Sequence, residues 1–236
     1  AAEKVWVMLH KPRQVLTTTS DQKGRETVMD LVPQAKELRL LPVGRLERNT
    51  AGLMILTNDN GWIHPLTHPS FEHDRRFEAT VRGVPSSAQL EQLAKGGGEQ
   101  QLKPCTVTVL DVDDKGELAL LDVRVRETRM DLIEAIAAEL NCELVSLRRT
   151  EFGSLKLKGL RRGSWRELTP SEVGALKKAC KDVEKRDVSR KRPESVDVED
   201  AKRRNARYNP NFKRDRNIAR ARKSTRREGG RGDRGQ

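Results

Sequence analysis

The chain has 236 residues and a formal net charge of +12, from 47 Lys and Arg against 35 Asp and Glu. This length accommodates one domain of roughly 150 to 200 residues plus an appended segment. No run approaches the roughly 18 apolar residues of a membrane-spanning helix, and Cys105, Cys142 and Cys180 are too far apart to form a C-x-x-C motif. These features argue against a membrane protein, a disulfide scaffold and a cysteine-based metal site.

The positive charge is concentrated near the C-terminus. Residues 181–236 contain 20 basic and 10 acidic residues, a net +10, whereas residues 1–180 contain 27 and 25, a net +2. Apolar residues become rare after residue 185, so this segment cannot bury enough surface to offset the entropy of ordering it. We therefore predict a domain over residues 1–180 and a basic tail over residues 181–236.

Such a tail has two interpretations. It either binds a polyanion, where each neutralised phosphate releases counterions, or it is a solvated, disordered segment without a specific partner. In the first interpretation, the RNA-binding residues of the tail are Arg203, Arg204, Arg207, Lys213 and Arg214.

In chain order, the first predicted element is a buried strand over residues 5–9, which ends at His10-Lys11-Pro12 because proline cannot donate to a strand ladder. A second strand is predicted over residues 15–19, and a short helix within residues 27–33. Residues 41–61 then predict two apolar strands around a turn that carries Arg45, Glu47 and Arg48. The sequence therefore places a charged loop between two buried strands.

The second half of the domain alternates helices and strands. Residues 86–95 predict an amphipathic helix between an N-cap serine and a glycine run. Residues 106–112 and 118–125 predict a β-hairpin. A helix over residues 131–140, a strand over residues 142–149 and a final helix after Thr169-Pro170 complete the domain. His64 and His68 have the spacing of a helical metal pair, but Pro65 lies between them and no third ligand is near, so we predict no metal site.

Several of these segments, in this order, resemble the motifs of RNA pseudouridine synthases of the bacterial-type ribosomal RNA branch. Residues 43–53, VGRLERNTAGL, are similar to the family's G-R-L-D-x-x-T-x-G-L. Residues 10–12 are similar to its N/H-K-P, and residues 153–168 to its closing G-x-L-x-L-x-x-L-x-x-G-x-x-R-x-L. The resemblance covers about residues 4 to 180.

This resemblance implies an α+β fold, with a mixed, largely antiparallel sheet in two halves, peripheral helices and a central cleft. It also implies a reaction without a metal or an organic cofactor. The small S4 RNA-binding domain usual in this branch is not among residues 4 to 180, so we expect that it was lost or that it preceded Ala1, where a targeting peptide would also lie.

The resemblance further implies a catalytic site. In the family, an Asp carboxylate attacks or assists departure at the ribose carbon of the target uridine, a Tyr lies against the base and a cation keeps the Asp ionised. The matching positions hold Glu47 and Phe77, with Arg45 beside Glu47. Phe77 can stack on a base but has no hydroxyl. Glu47 is longer than Asp by one methylene, a displacement of roughly 1 Å that can cost about a hundredfold in rate.

A further motif of the family, E-G-R/K-x-x-Q-V-R/K-R-M, supplies the cation that keeps the catalytic Asp ionised. Aligned without gaps from Glu127 and Arg129, its basic pair falls on Glu134 and Ala135. We therefore expect Glu134 to face Glu47 in place of the cation. Two neighbouring carboxylates favour protonation of one of them, and a protonated carboxyl is a poor nucleophile.

RNA is the implied partner, and the predicted RNA-binding residues of the domain are Lys11, Arg45, Arg48, Asn49, Thr50, Arg76 and Arg129. The altered motifs predict a catalytically degenerate pseudouridine synthase homologue that binds rRNA as a ribosome component or assembly factor. The alternatives are an active rRNA pseudouridine synthase that uses Glu47 and an RNA-processing or splicing cofactor. The start at Ala1 and the basic tail favour a mitochondrial or chloroplast ribosome over the bacterial cytoplasm.

Overall fold

The computed structural model describes residues 3–129 and 131–181. The tail residues predicted to bind RNA therefore lie outside the described residues, namely Arg203, Arg204, Arg207, Lys213 and Arg214. The strands are β1 (Trp6–Lys11), β2 (Leu41–Pro42), β3 (Thr50–Thr57), β4 (Arg75–Arg82), β5 (Thr106–Val112), β6 (Leu118–Val125), β7 (Glu143–Phe152), β8 (Leu155–Lys156) and β9 (Trp165–Glu167). The helices are α1 (Val28–Leu31), α2 (Ile63–Thr67), α3 (Ser87–Lys95), α4 (Leu132–Glu139) and α5 (Pro170–Lys181), with 3₁₀ turns at Asn60–Trp62 and Pro69–Phe71.

The strands form one mixed sheet in the order β5-β6-β4-β7-β3-β1-β9, with β2 paired to β3 and β8 paired to β7. The pairings are antiparallel except between β3 and β7, which run parallel over Thr50 to Gly52 against Leu147 to Arg149. This short parallel pairing joins a five-stranded half, β5, β6, β4, β7 and β8, to a four-stranded half, β3, β1, β9 and β2. The predicted α+β fold with a largely antiparallel sheet in two halves is confirmed.

Both faces of β1 and β3 are buried, because two hydrophobic clusters pack on opposite sides of these strands. Val7 and Leu9 of β1 lie in the larger cluster, whereas Trp6 and Met8 lie in the smaller one. Strands buried on both faces have continuous apolar sequences, as residues 5–9 do. Helices α1, α3 and α4 contribute to the larger cluster, and α2 and α5 contribute to the smaller one.

Most predicted elements are present, and the differences are local. The hairpin β5–β6 and helices α3 and α5 match their predicted positions, and Ser86 caps α3 by accepting from Gln89 N. The strand predicted over residues 15–19 is wrong, since only an isolated bridge between Leu16 and Thr27 forms there. In the described part of the chain, no helix is long and apolar enough to cross a membrane.

Candidate active site

A cleft of about 140 Å³ lies where the two halves of the sheet meet, between the loop 44–50, β4, β7 and the start of α4. Five of the predicted site residues line it together, namely Arg45, Glu47, Thr50, Phe77 and Arg129. Lys11, Arg48, Asn49 and Arg76 are not among its lining residues.

Glu47 and Arg45 lie on the open side of this cleft. Both side chains are accessible, and neither forms a hydrogen bond or an ion pair with the described residues. Thr50, the first residue of β3, is buried behind them. The Glu47 carboxylate is therefore free to meet a ligand, but no contact within the described residues fixes its position.

Lys11 holds the backbone of this loop from beneath. Its side chain is fully buried, and Nζ donates to the carbonyl oxygens of Thr50 at 2.7 Å, Glu47 at 3.0 Å and Pro12 at 3.1 Å. Burial lowers the pKa of Lys11 to about 8. The prediction that Lys11 contacts RNA is therefore wrong: Lys11 supports the loop from inside the protein.

We expect Lys11→Met to lower the free energy of unfolding by about 2–4 kcal/mol, because the buried carbonyl oxygens would lose their donor. Chemical denaturation measures this change, with Lys115→Met at the exposed tip of the β5–β6 hairpin as the control. The control is expected to stay within about 0.5 kcal/mol of wild type.

The same variant tests the pH dependence. Because the pKa of Lys11 falls from 10.5 to about 8 on folding, the unfolded chain holds a proton between these values that the folded chain has lost. The contribution of Lys11 to stability therefore rises with pH across this window. Lys11→Met should flatten that rise, and an unchanged pH profile would contradict the assignment.

A β-bulge on β7 brings Arg149 and Phe152 to the side of the sheet on which Arg75 and Phe77 lie. On β4, Arg75 pairs with Phe152 of β7, and Phe77 pairs with Arg149, so the register shifts by one residue at Thr150. Without the bulge, Arg149 and Phe152 would point to opposite faces, since their separation is odd. The bulge therefore places all four cross-strand partners along the same cleft.

Two of these partners are buried arginines. Arg149 Nε donates to Leu53 O at 2.8 Å, and its buried Nη2 has no partner among the described residues. The guanidinium carbons of Arg75 and Arg149 lie 5.3 and 5.1 Å from the centroid of the Phe152 ring. Burial, and then the charge of Arg75, lower the pKa of Arg149.

Neither arginine forms an ion pair with a carboxylate of the described chain. Two buried cations that lack an ion-pair partner repel each other, and they favour the approach of an anion. The floor of the cleft is therefore electropositive and suited to a phosphate, a carboxylate or a uracil oxygen.

The predicted pairing of Glu134 with Glu47 is wrong. Helix α4 buries Leu132, Ile133 and Ala135, whereas Glu134 is exposed and does not line the cleft. Leu132 and Ile133 are the residues of α4 that line the cleft. The buried cations of the cleft are Arg75 on β4 and Arg149 on β7, which lie outside the helix on which the motif alignment placed the basic pair.

Sequence reasoning overlooked Arg149. A sequence signal for Arg149 was available. The strand-like segment of residues 142–149 ends at this arginine, and Phe152-Gly153 follows three residues later. The burial of Arg149, however, depends on the contact between β3 and β7, which no local sequence pattern predicts.

Gly52 makes that contact possible. Its φ is +123°, and a Cβ at this position would lie 2.2 Å from Arg149 O and 2.4 Å from Arg149 N. A side chain cannot fit here, so the backbones of β3 and β7 touch only because residue 52 is glycine. Gly52 therefore determines where Arg149 lies relative to the loop.

Three of the remaining predicted RNA contacts lie around the loop and α4. Gln14 N donates to Arg48 O at 2.7 Å, and Gln14 Nε2 donates to Asn49 Oδ1 at 2.6 Å, at an exposed edge of the loop. Arg129 Nε donates to Asp131 Oδ1 at 2.7 Å, which raises the pKa of Arg129. These residues remain accessible to a ligand.

Arg76 is more strongly engaged than predicted. Its guanidinium pairs with Asp122 at 2.6 Å and with Glu151 at 2.9 Å, and these contacts raise its pKa. Much of its charge is thus already neutralised within the protein.

No metal ligand set is present among residues 3–129 and 131–181. The rings of His64 and His68 stack, with centroids 4.7 Å apart. Helix α2 does form around Pro65, which lies in its first turn, where a missing N–H is tolerated.

Comparisons with known proteins point to the same family as the motifs. The RNA pseudouridylate synthase family model matches residues 5–136. The chain is 34% identical over 177 residues to a ribosomal large subunit pseudouridine synthase B of Bacillus subtilis, covering 74% of this chain and 72% of that protein. It is 31% identical over 217 residues to the protein of the same name from Haemophilus influenzae, covering 88% of this chain and 60% of that protein.

A solved structure supports the fold assignment. A crystal structure described as a pseudouridylate synthase superposes with a TM-score of 0.64 at 27% identity, covering 74% of each chain.

Proposed function

Because the chain belongs to the RNA pseudouridine synthase family, in its bacterial ribosomal RNA branch, we propose that its cleft binds a uridine of structured rRNA without isomerising it at a useful rate. The observation that carries this proposal is the state of Glu47. Its carboxylate lies on the cleft but forms no hydrogen bond or ion pair with Arg149, Arg75 or any other described residue. A reacting group that is not held in place loses most of its rate advantage.

The parts of the cleft that would bind a nucleotide are well positioned. Phe77 offers a ring for stacking on the base. Arg75 and Arg149 present cations that form no ion pair in the described chain. Arg45 and Arg48 lie on the loop, where phosphates of the flanking nucleotides would pass. Binding therefore needs no rearrangement of the buried residues.

The parts that would carry the reaction are weaker. Isomerisation breaks the bond between the ribose C1′ and uracil N1, forms a bond from C1′ to C5 and removes the proton from C5. Phe77 has no hydroxyl that could assist this proton removal. Glu47 has a longer and unsupported side chain. These two changes support a binding role.

An active enzyme is the second candidate, and Arg149 favours it. Arg149 and Arg75 line the same cleft as Glu47, so cations are present there although the motif alignment puts Glu134 and Ala135 at the position of the basic pair. If substrate binding draws the Glu47 carboxylate toward Arg149, the cation would keep it ionised and able to react at C1′.

Pseudouridine formation on rRNA transcripts separates the two candidates. We expect no product from wild type or Glu47→Ala, and measurable product from the double variant Glu47→Asp, Phe77→Tyr, which restores both reacting groups. All three proteins should bind the transcript within about threefold of each other, because the arginines are unchanged. An active wild type together with an inactive Glu47→Ala would instead establish a synthase that uses Glu47.

The proposal extends to the cellular role. The net charge of +10 in residues 181–236 supports attachment to ribosomal RNA. We propose that the chain acts there as a ribosome component or assembly factor of a mitochondrial or chloroplast ribosome. Cosedimentation with organellar ribosomal subunits, lost at high salt, is the expected result. Recovery with spliceosomal or intron-containing RNA, or in the cytoplasm of a bacterium, would point to the alternative roles.

A further inference from the structure

The segment from β8 to β9 carries an unusual concentration of cations. In the closing motif, residues 153–168, the glycines, leucines and one arginine of the pattern are matched, and the remaining positions are unconstrained. From residue 154 to residue 165, the positions that the motif leaves open contain no Asp or Glu. They contain four cations and one aromatic residue, namely Lys156, Lys158, Arg161, Arg162 and Trp165. The segment therefore carries several cations and an aromatic ring at positions that the motif does not specify.

The β8–β9 loop, residues 157–164, is fastened to the strand that supports the loop 44–50. His10 Nδ1 lies 2.9 Å from Leu160 O, His10 N donates to Ser164 O at 2.9 Å, and Gly163 N donates to His10 O at 2.8 Å. The next residue, Lys11, donates to Glu47 O. The β8–β9 loop is thus connected to the rim of the cleft through two consecutive residues of β1.

Two cations of the loop, Lys158 and Arg161, differ from the structural arginine that follows the loop. Arg166 Nη1 and Nη2 donate to the two carboxylate oxygens of Glu172 at 2.8 and 2.6 Å, a bidentate pair that ties β9 to α5. Lys158 and Arg161, in contrast, are exposed and form no ion pair with the described residues. Their charges are available to a polyanion.

Trp165 adds an exposed aromatic ring directly after the loop. It begins β9, the edge strand of the sheet, and 37% of its surface is exposed, against 4% for Trp6. An exposed indole offers a flat face on which a base can stack. Cations interspersed with an aromatic ring are the arrangement that proteins use to bind single-stranded nucleic acid, through phosphate contacts and base stacking.

We propose that the β8–β9 loop and Trp165 form a second RNA-binding surface, which holds an unpaired stretch of the rRNA that flanks the nucleotide in the cleft. This inference rests on the proposed function, because it assumes that rRNA occupies the cleft. Lys158 and Arg161 contact phosphates, and a base stacks on Trp165. The surface lies at the β9 edge of the sheet, opposite to the β5 edge.

Binding of the full chain to an rRNA transcript that contains an unpaired flank tests the surface. Trp165→Ala should weaken binding about 5- to 100-fold, whereas Trp165→Phe, which keeps a stacking ring, should retain most of the affinity. The double variant Lys158→Ala, Arg161→Ala should lower the slope of log affinity against log salt by about 1.4 to 1.8. RNA should also quench wild-type tryptophan fluorescence more than that of Trp165→Phe.

Controls separate this surface from the cleft and from general charge. The double variant Lys103→Ala, Lys115→Ala removes two exposed cations near the β5 edge and should leave the slope unchanged. If the variants of the β8–β9 loop bind like wild type while Arg149→Met binds weakly, the second surface is disproved and the cleft proposal stands. If Arg149→Met also binds like wild type, the proposed function itself fails. An equal decrease of the salt slope in the Lys103→Ala, Lys115→Ala control would disprove the second surface, because it would show a nonspecific effect of charge.

Discussion

Replacing Gly52 with Ala is expected to lower the free energy of unfolding by more than about 3 kcal/mol, the largest stability effect that we expect from a single methyl group in this chain. The added Cβ would overlap Arg149 O and N at 2.2 and 2.4 Å, and both atoms belong to the backbone and cannot rotate away. The φ of +123° adds strain for any residue with a Cβ. Relief requires the separation of β3 from β7, which would open the joint between the halves of the sheet.

Gly97→Ala provides a matched control for this effect. Gly97 also has a positive φ, +91°, but nothing lies within 4 Å of the position that its Cβ would occupy, so only the conformational cost of about 1 kcal/mol applies. Thermal and denaturant unfolding measure both variants. Similar decreases in the free energy of unfolding for the two variants would mean that overlap with the Arg149 backbone adds nothing to the destabilisation.

The variant Arg149→Met is expected to change stability and RNA affinity in opposite directions. Methionine fills a similar volume without charge, and the buried guanidinium lies beside Arg75 with one unpartnered nitrogen among the described residues. Removing it should leave stability unchanged or raise it by about 1–2 kcal/mol. Affinity for an rRNA transcript should fall by about 1.5–3 kcal/mol, because a charged hydrogen-bond donor to the ligand is lost.

Arg25→Met is the matched control for this prediction. Arg25 Nε and Nη2 donate to Asp21, and Arg25 lies outside the cleft and outside the β8–β9 loop, so its loss should not raise stability, and RNA affinity should change little. A lower stability of Arg149→Met with unchanged affinity would assign Arg149 a purely structural role.

The placement of the site followed from sequence wherever the motif residues are consecutive. Arg45, Glu47 and Thr50 belong to one loop, and Phe77 lies on β4, and the resemblance to the family motifs predicted that they meet in one cleft. The exposure of individual side chains did not follow. Lys11 is charged and lies beside the loop in the motif pattern, yet its ammonium group faces backbone carbonyls inside the protein.

The sequence by itself determined most of the secondary structure and the family, because both depend on short-range patterns. Alternating apolar residues around 113–116 specified the β5–β6 hairpin, and Thr169-Pro170 specified the start of α5. Such signals act over a few residues, where turn chemistry and side-chain periodicity dominate the local free energy.

Only the tertiary structure decided which charges face one another. The bulge at Thr150 reverses the alternation of β7 and turns Arg149 and Phe152 to the same side. Because residue 52 is glycine, β3 can pack closely against β7 at Arg149. Arg149 Nε donates there to Leu53 O, 96 residues earlier in the chain. A one-residue shift in strand pairing inverts the direction of every later side chain, and close packing of two backbones depends on both partners at once. A local sequence pattern therefore could not predict that Arg149 supplies a cation to the cleft or that Glu134 is exposed to solvent.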